Sequence, residues 1–462
     1  MSTFPKFLIA VLFLACTGLP AFGQMDMPPE KALDLSLDQC VDMALQNNSQ
    51  LRRNRFDRDI AQAQIDNALS NFLPSLSSSY GFSQSVTGPR DGSIIDPSTQ
   101  QLITSLGESR TSSSQSVGGN LNMTMFSFSN FANLSASRNG ARAAELNYTN
   151  SKNQIAFLAT QNYLNLLKSI RLLEVQQEQI RVSEESFRRS ETLYEIGSAP
   201  LSDVLGARAT LERARVELIN RDNTVQVNTA NLAFSLGLSP DVRIVPEEAS
   251  LELTPAAVTY KEALAAALDD NPNLKAQSFS MRQSKDQLRS IQSGVRHPTV
   301  SLRGGYNWNL SRDDDFGGIE DLFLKNYTYS FSLSVNFPIF NGLSTENSVK
   351  IQKLRYLQSQ EQLKQDQRNL GLEIKRVYLN LERLRKSVQA NEAAVEAAQE
   401  DYNLQTERYN LGASTFLERQ QSQVSLFSAR SDLVQASYDY QIELARLEQA
   451  LGHPPRTRED RE

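Results

Sequence analysis

A mixed α and β protein is expected, in which one unit occurs twice and each copy sets two β-strands between long helices. Three observations predict it. The segment Tyr194-Glu195-Ile196-Gly197-Ser198-Ala199-Pro200-Leu201-Ser202-Asp203 recurs as Tyr409-Asn410-Leu411-Gly412-Ala413-Ser414-Thr415-Phe416-Leu417-Glu418, and 409 minus 194 gives an offset of 215 residues. Four runs alternate apolar and polar residues at period 2, the pattern of a strand with unlike faces. Residues 130–194 and 343–410 hold no proline and one glycine each, Gly140 and Gly371, the composition of uninterrupted helix. A repeat of this length is far too long for a solenoid, so the chain is expected to be one architecture made of two halves.

The chain opens with Lys6, an apolar run over 7–15 and Ala21-Phe22-Gly23, which predicts a secretory signal over 1–23 with cleavage before Gln24. Cys16 is expected to belong to that run; its approach, Leu14-Ala15, is a poor lipidation box, and lipidation would add an anchor. The first unit is placed at 24–245, the second at 246–452 and a tail at 453–462. Each unit starts a helix with a capping-box spacing, Ser36 with Gln39 and Thr259 with Glu262. A helix kink is expected where Asn48-Ser49 and Asn271-Pro272 correspond.

Strands follow Pro74 and Pro298. In 75–84, Leu76, Tyr80 and Phe82 share one face and serines the other. In 299–310 the apolar set is Val300, Leu302, Tyr306, Trp308 and Leu310, and in 327–337 every odd position is aromatic or aliphatic. The fourth strand, 120–128, begins with Leu121 and Met123 and slips phase near Phe126. Residues 85–119 and 311–326, the latter with Asp313-Asp314-Asp315, are expected to be surface loops. Strands of about ten residues with one apolar and one small polar side are the unit of a membrane barrel with a wet interior. The competing reading, a soluble sheet with one buried face, needs a covering layer that the flanking helices do not obviously provide.

The two long helical stretches would each be about 100 Å at 1.5 Å per residue. Leu370, Ile374, Val377, Leu381, Leu384 and Val388 step by three or four, and Leu166, Leu173, Ile180, Phe187 and Tyr194 by seven, as in a coiled-coil seam. Gly197 and Gly412 stand where a helix end needs a left-handed residue. Pro200 before Asp203 and Thr415 before Glu418 restart a helix with a carboxylate near its positive end. Each unit is therefore expected to close in a tight helical hairpin with an acidic tip.

The net charge of -6 and pI near 5.4 argue against a nucleic-acid partner. Beyond the signal, Cys40 is the sole cysteine, so no intrachain disulfide is expected. His297 and His453 lack partners at metal spacing, and no phosphate loop or nucleophile elbow occurs. Neither a metal, a cofactor nor an enzyme activity is expected. Four strands cannot close a barrel, and open edges in lipid leave backbone groups unpaired. Three copies would supply twelve strands.

The signal, the doubled helix-strand-loop-strand-helix plan, Leu73-Pro74 before one strand, Phe337-Pro338-Ile339-Phe340-Asn341-Gly342 after another, and Gly-x-x-[Ser/Thr/Pro]-x-x-[Asp/Glu] at both hairpins together resemble the TolC-type outer-membrane efflux and export channels. The resemblance spans about 35–452. It implies a homotrimer with a 12-stranded β-barrel in outer-membrane lipid above a coiled-coil α-helical tunnel crossing the periplasm, with a periplasmic adaptor and an inner-membrane transporter as partners. It implies a passive conduit for efflux or type I secretion. The hairpin tips would form the closed aperture, with Tyr409 facing Asp203, Glu418 giving a ring of three acids, and Gly197, Pro200, Gly412 and Thr415 meeting the adaptor. Two positions depart from the pattern: Ser414 stands where a basic residue is often found, and Gln421 where a second acid would be. The alternative function is a secreted coiled-coil adaptor or binding protein without a barrel.

Overall fold

The computed structural model describes residues 33–89, 91–95, 98, 100, 102–106, 109–247, 259–311 and 324–455. The expected signal with Cys16, the acidic run 313–315 and most of the tail lie outside the described residues.

Strand β1 (Leu33–Leu35) leads into helices α1 (Leu37–Asn47) and α2 (Ser49–Ser70). Ser36 caps α1 through a complete capping box, its hydroxyl accepting from the Gln39 N–H at 3.3 Å while Gln39 accepts from the Ser36 N–H at 3.1 Å. The break before α2 is one residue wide. Asn48 makes it by turning extended and accepting the N–H groups of Gln50 and Leu51. Strands β2 (Ser75–Thr87), β3 (Asp91–Ile95), β4 (Leu102–Leu106) and β5 (Arg110–Phe126) follow, then the rod α3 (Phe128–Glu195) and α4 (Leu201–Ser235). The chain continues with β6 (Ile244–Pro246), α5 (Tyr260–Asp270), α6 (Pro272–Arg296), β7 (Thr299–Ser311), β8 (Tyr327–Asn336), α7 (Ser344–Asn410) and α8 (Phe416–Leu451). Thr259 and Glu262 form the second capping box, and Asn271 caps α6 as Asn48 caps α2.

The rods α3 and α7 hold 68 and 67 residues, so each is about 100 Å long. Helix α3 lies against α2, α6 and α1 and then against α4 and α8, while α7 lies against α6, α5 and α8. Two apolar cores sit near mid-length. One joins Cys40, Ala44, Ala159, Tyr163, Leu166 and Leu232; the other joins Ala263, Ala267, Ile374, Val377, Leu381 and Leu447. Parallel pairing of β1 with β6 ties the start of each half together, and the buried Tyr163 hydroxyl donates to the carbonyls of Leu35 and Glu247, which flank that pair. Burial pushes the Cys40 thiol up to about 12, which leaves it an inert packing residue.

The main sheet is antiparallel in the order β2-β5-β7-β8. Its register puts apolar residues on one side: Leu76 stands opposite Leu121, Tyr80 opposite Val117, Met123 opposite Leu302, Leu302 opposite Leu333, and Tyr306 opposite Tyr329. Serine, glycine, threonine and asparagine occupy most of the other side. Among the described residues no helix packs on the apolar side: Leu76 and Phe331 remain 80% and 76% exposed in the single chain, while Trp308 and Leu310 at one end of it are buried.

Three expectations are corrected. The strand placed at 120–128 runs over Arg110–Phe126, and Phe128 instead starts α3 and stacks on His297 at 4.6 Å. The phase slip is a bulge: pairing passes from Thr124 opposite Ser301 to Phe126 opposite Val300, so Met125 has no partner. The loop expected over 85–119 is mostly strand, because β2 and β5 stay paired as far as Thr87 opposite Arg110 and β3 pairs with β4 beyond them. That stretch has no apolar alternation, and its ladder is carried by backbone pairing, helped by side-chain hydrogen bonds between Ser83 and Ser114 and from Tyr80 to Gln115. Finally, the seven-residue stripe of α3 does not form the lower seam within the chain. Leu166 is buried, but Leu173, Ile180 and Phe187 are only half-buried and Tyr194 is exposed, while over the last turns Ser183, Ser186 and Ser190 are the buried residues.

Candidate functional site

The candidate site lies where the two helical hairpins end side by side. At the first tip, Gly197 adopts φ 74°, its N–H bonds the Tyr194 carbonyl at 2.9 Å and the Ser198 N–H bonds that of Leu193 at 2.7 Å. At the second, Gly412 adopts φ 72°, bonding Tyr409 at 3.1 Å while the Ala413 N–H reaches Arg408 at 2.8 Å. A Cβ on either glycine would meet nothing within 4 Å, so backbone conformation alone calls for glycine here. Each turn leaves aliphatic side chains in the open, Ile196 and Leu201 at one tip, Leu411 and Leu417 at the other.

The second tip restarts with a complete capping box. The Thr415 N–H and hydroxyl lie 2.7 and 3.1 Å from Glu418 Oε2, the Glu418 N–H donates to Thr415 Oγ1 at 3.2 Å, and the Ser414 hydroxyl lies 2.8 Å from the same carboxylate oxygen. These donors, the Thr415 backbone N–H first, hold the Glu418 carboxyl below the usual carboxylate range. The first tip is simpler: Pro200 precedes α4 with no side-chain cap, and Asp203 accepts from Ser202 at 3.3 Å. Gln421 is exposed one turn beyond Glu418.

Ser414, Thr415 and Glu418 are thus brought together, whereas Tyr409 and Asp203 share no hydrogen bond within the chain. The Tyr409 ring is engaged elsewhere. Phe416 meets it edge-on at 6.4 Å, and the Arg419 guanidinium lies over it at 4.9 Å. Arg419 is 5% exposed and bonds the Ser186 hydroxyl of α3, with no carboxylate partner among the described residues. Burial lowers its pKa, yet a guanidinium stays charged at neutral pH. Gln423 donates to Ser183 at 3.1 Å, Gln420 bonds Thr210, and the Phe416 ring packs so close to α4 that a Cβ on Gly206 would come within 3.1 Å of it.

Sequence reasoning missed Arg419, Phe416, Gln420 and Gln423, which join the second hairpin to the first. The available signal was a pair of stripes at helical spacing: Ser183, Ser186 and Ser190 on α3, and Arg419, Ser422 and Gln423 on α8. Among the described residues no cluster of His, Cys, Asp and Glu is set to hold a metal ion.

A two-faced sheet standing on rods about 100 Å long, with matched glycine turns at their far ends, defines a channel protein of the outer membrane. A family profile described as outer membrane efflux protein matches residues 40–238 and 263–453, and the chain belongs to that family. Outer membrane protein TolC of Escherichia coli is 22% identical over 459 residues, covering 97% of this chain and 86% of that protein. Among solved structures, the Campylobacter jejuni CmeC outer membrane channel superposes with a TM-score of 0.77 at 18% identity, covering 90% of this chain and 85% of CmeC. The Neisseria gonorrhoeae MtrE outer membrane channel, in its open state, superposes with a TM-score of 0.74, also at 18% identity, covering 99% and 98%.

Proposed function

We infer that this protein is the outer-membrane exit duct of a tripartite efflux or type I secretion assembly, a passive conduit whose energy comes from an inner-membrane transporter. The carrying observation is the common apolar face across all four paired strands of a sheet with two open edges, β2 and β8. Outside its Trp308 and Leu310 end, that apolar face stays open in the single chain, and such a face belongs in lipid, where an edge must find a partner strand. Three chains joined edge to edge close a 12-stranded barrel, above the minimum of eight seen in single-chain barrels. The rods then form a tunnel below it, with both sets of tips at the periplasmic end.

The duplicated plan, units at 24–245 and 246–452, gives the tunnel quasi-equivalent hairpins. A periplasmic adaptor would engage the turns at Gly197, Pro200, Gly412 and Thr415, where the exposed aliphatic residues Ile196 and Leu411 flank the backbone. Opening would be a shift of one hairpin against the other, biased by that contact. Glu418, with Gln421 uncharged beside it, would line the aperture with three carboxylates and favour cations in the free channel. Asp203, Tyr409 and Ser414 belong to the closing contacts.

Membrane fractionation followed by detergent extraction and sizing tests the reading. A detergent-requiring trimer from the outer membrane is expected. A water-soluble monomer or dimer in the periplasm would overturn the duct and favour a secreted coiled-coil adaptor.

A further inference from the structure

Across residues 75–86, 111–124, 299–310 and 327–336 the four paired strands carry a single charged side chain, Arg303. It stands on the polar side of the sheet. Its register partners are Asn122 on β5 and Ser332 on β8, and its neighbours along that side, Ser301, Gly305, Asn120 and Ser330, are uncharged as well. Arg303 is exposed and makes no ion pair or hydrogen bond among the described residues. A guanidinium placed four residues into a strand, amid small neutral groups and with no anion provided, is free to meet one that passes.

This inference rests on the reading of the protein as a trimeric duct. Twelve strands about 4.8 Å apart and tilted by roughly 40° enclose a barrel with a backbone radius of about 12 Å. Three arginines reaching about 6 Å inward would leave their charges about 6 Å from the axis, less than the Debye length of about 8 Å at physiological salt. Screened attraction at that distance concentrates a monovalent anion about fivefold, and a divalent one roughly 25-fold. The planar fork also suits carboxylate and phosphate groups in a way that a point charge does not.

We propose that Arg303 forms a ring of three guanidiniums inside the barrel that binds carboxylate or phosphate groups of departing solutes and selects for anions there. It is a second filter, opposite in sign to the Glu418 ring at the far end of the conduit.

Purified trimers in planar bilayers test this with the unmodified chain, Arg303→Gln and Arg303→Lys. The readouts are the chloride-to-potassium permeability ratio from reversal potentials and the block of current by citrate added on the barrel side. Arg303→Gln should lower the permeability ratio about 25-fold, because the potential that draws chloride in about fivefold keeps potassium out about fivefold, and weaken citrate block at least tenfold, while Arg303→Lys should retain most of both. Channels of Arg303→Gln with unchanged ratio and unchanged block would overturn the ring and leave the duct reading intact. Purified protein that needs no detergent and is not a trimer would overturn the duct and this inference with it.

Discussion

The guanidinium of Arg419 lies 4.9 Å from the centre of the Tyr409 ring, on the turn that joins α7 to α8, and the same group reaches across to Ser186 of α3. A buried cation therefore links one helical hairpin to the other, with no carboxylate among the described residues to balance it. Its neighbours explain how it survives: an aromatic face and a hydroxyl replace part of the lost hydration. Such a link holds while the hairpins stay in register.

Arg419→Met should loosen this contact. Losing a desolvated cation–π contact and a charged hydrogen bond removes about 2 kcal/mol from the closed arrangement, roughly a thirtyfold rise in the open-to-closed ratio. Single-channel recording measures it. An unchanged closed-state occupancy would show that Arg419 only fills space.

Glu418 should resist protonation. Its folded-state pKa is depressed, so its capping contribution is complete above the usual carboxylate range and is lost as pH falls through the depressed value. The cation preference should accordingly persist on acidification below about 4.3, the ordinary glutamate pKa. Removing the Ser414 hydroxyl with Ser414→Ala should move the acid midpoint upward, and Glu418→Gln should reduce the preference at neutral pH and abolish this acid transition. A reversal-potential series against pH checks all three, and a midpoint indifferent to Ser414→Ala would remove that hydroxyl from the account.

Gly206→Ala should act as a wedge. The new methyl would sit 3.1 Å from a Phe416 ring carbon, so the ring must give way by a few tenths of an ångström. Alanine also improves helix propensity by about 1 kcal/mol, which offsets much of the crowding in global stability. The expected signature is raised open probability with little change in thermal stability, reversed in Gly206→Ala with Phe416→Leu. If the single variant gates like the parent, the contact between Phe416 and Gly206 does not hold the tips together.

Much of the fold was legible before any coordinates. Capping boxes at Ser36, Thr259 and Thr415 and left-handed glycines at 197 and 412 involve residues within a few positions of one another, so their geometry follows from local backbone chemistry. The period-2 runs marked the apolar sheet face for the same reason. The strand from Arg110 to Gly119 was hidden, because Arg-Thr-Ser-Ser-Ser-Gln-Ser-Val-Gly-Gly has no two-fold alternation and is held by pairing with β2. Arg419 was hidden too. Ser186 and Ser183, which receive Arg419 and Gln423, lie 233 and 240 residues away along the chain.

By itself, then, the sequence determined where helices start, stop and break and which side of each strand is apolar. Those features depend on contacts spanning one turn of helix or one step of strand. Only the tertiary structure decided that α3 turns a serine stripe toward α8, that the Tyr409 ring meets Arg419 within the chain, and that Met125 bulges to keep Phe126 on the apolar face. Those outcomes depend on which surfaces meet at long range, where packing and hydrogen-bond satisfaction among all neighbours outweigh the pattern of any one segment.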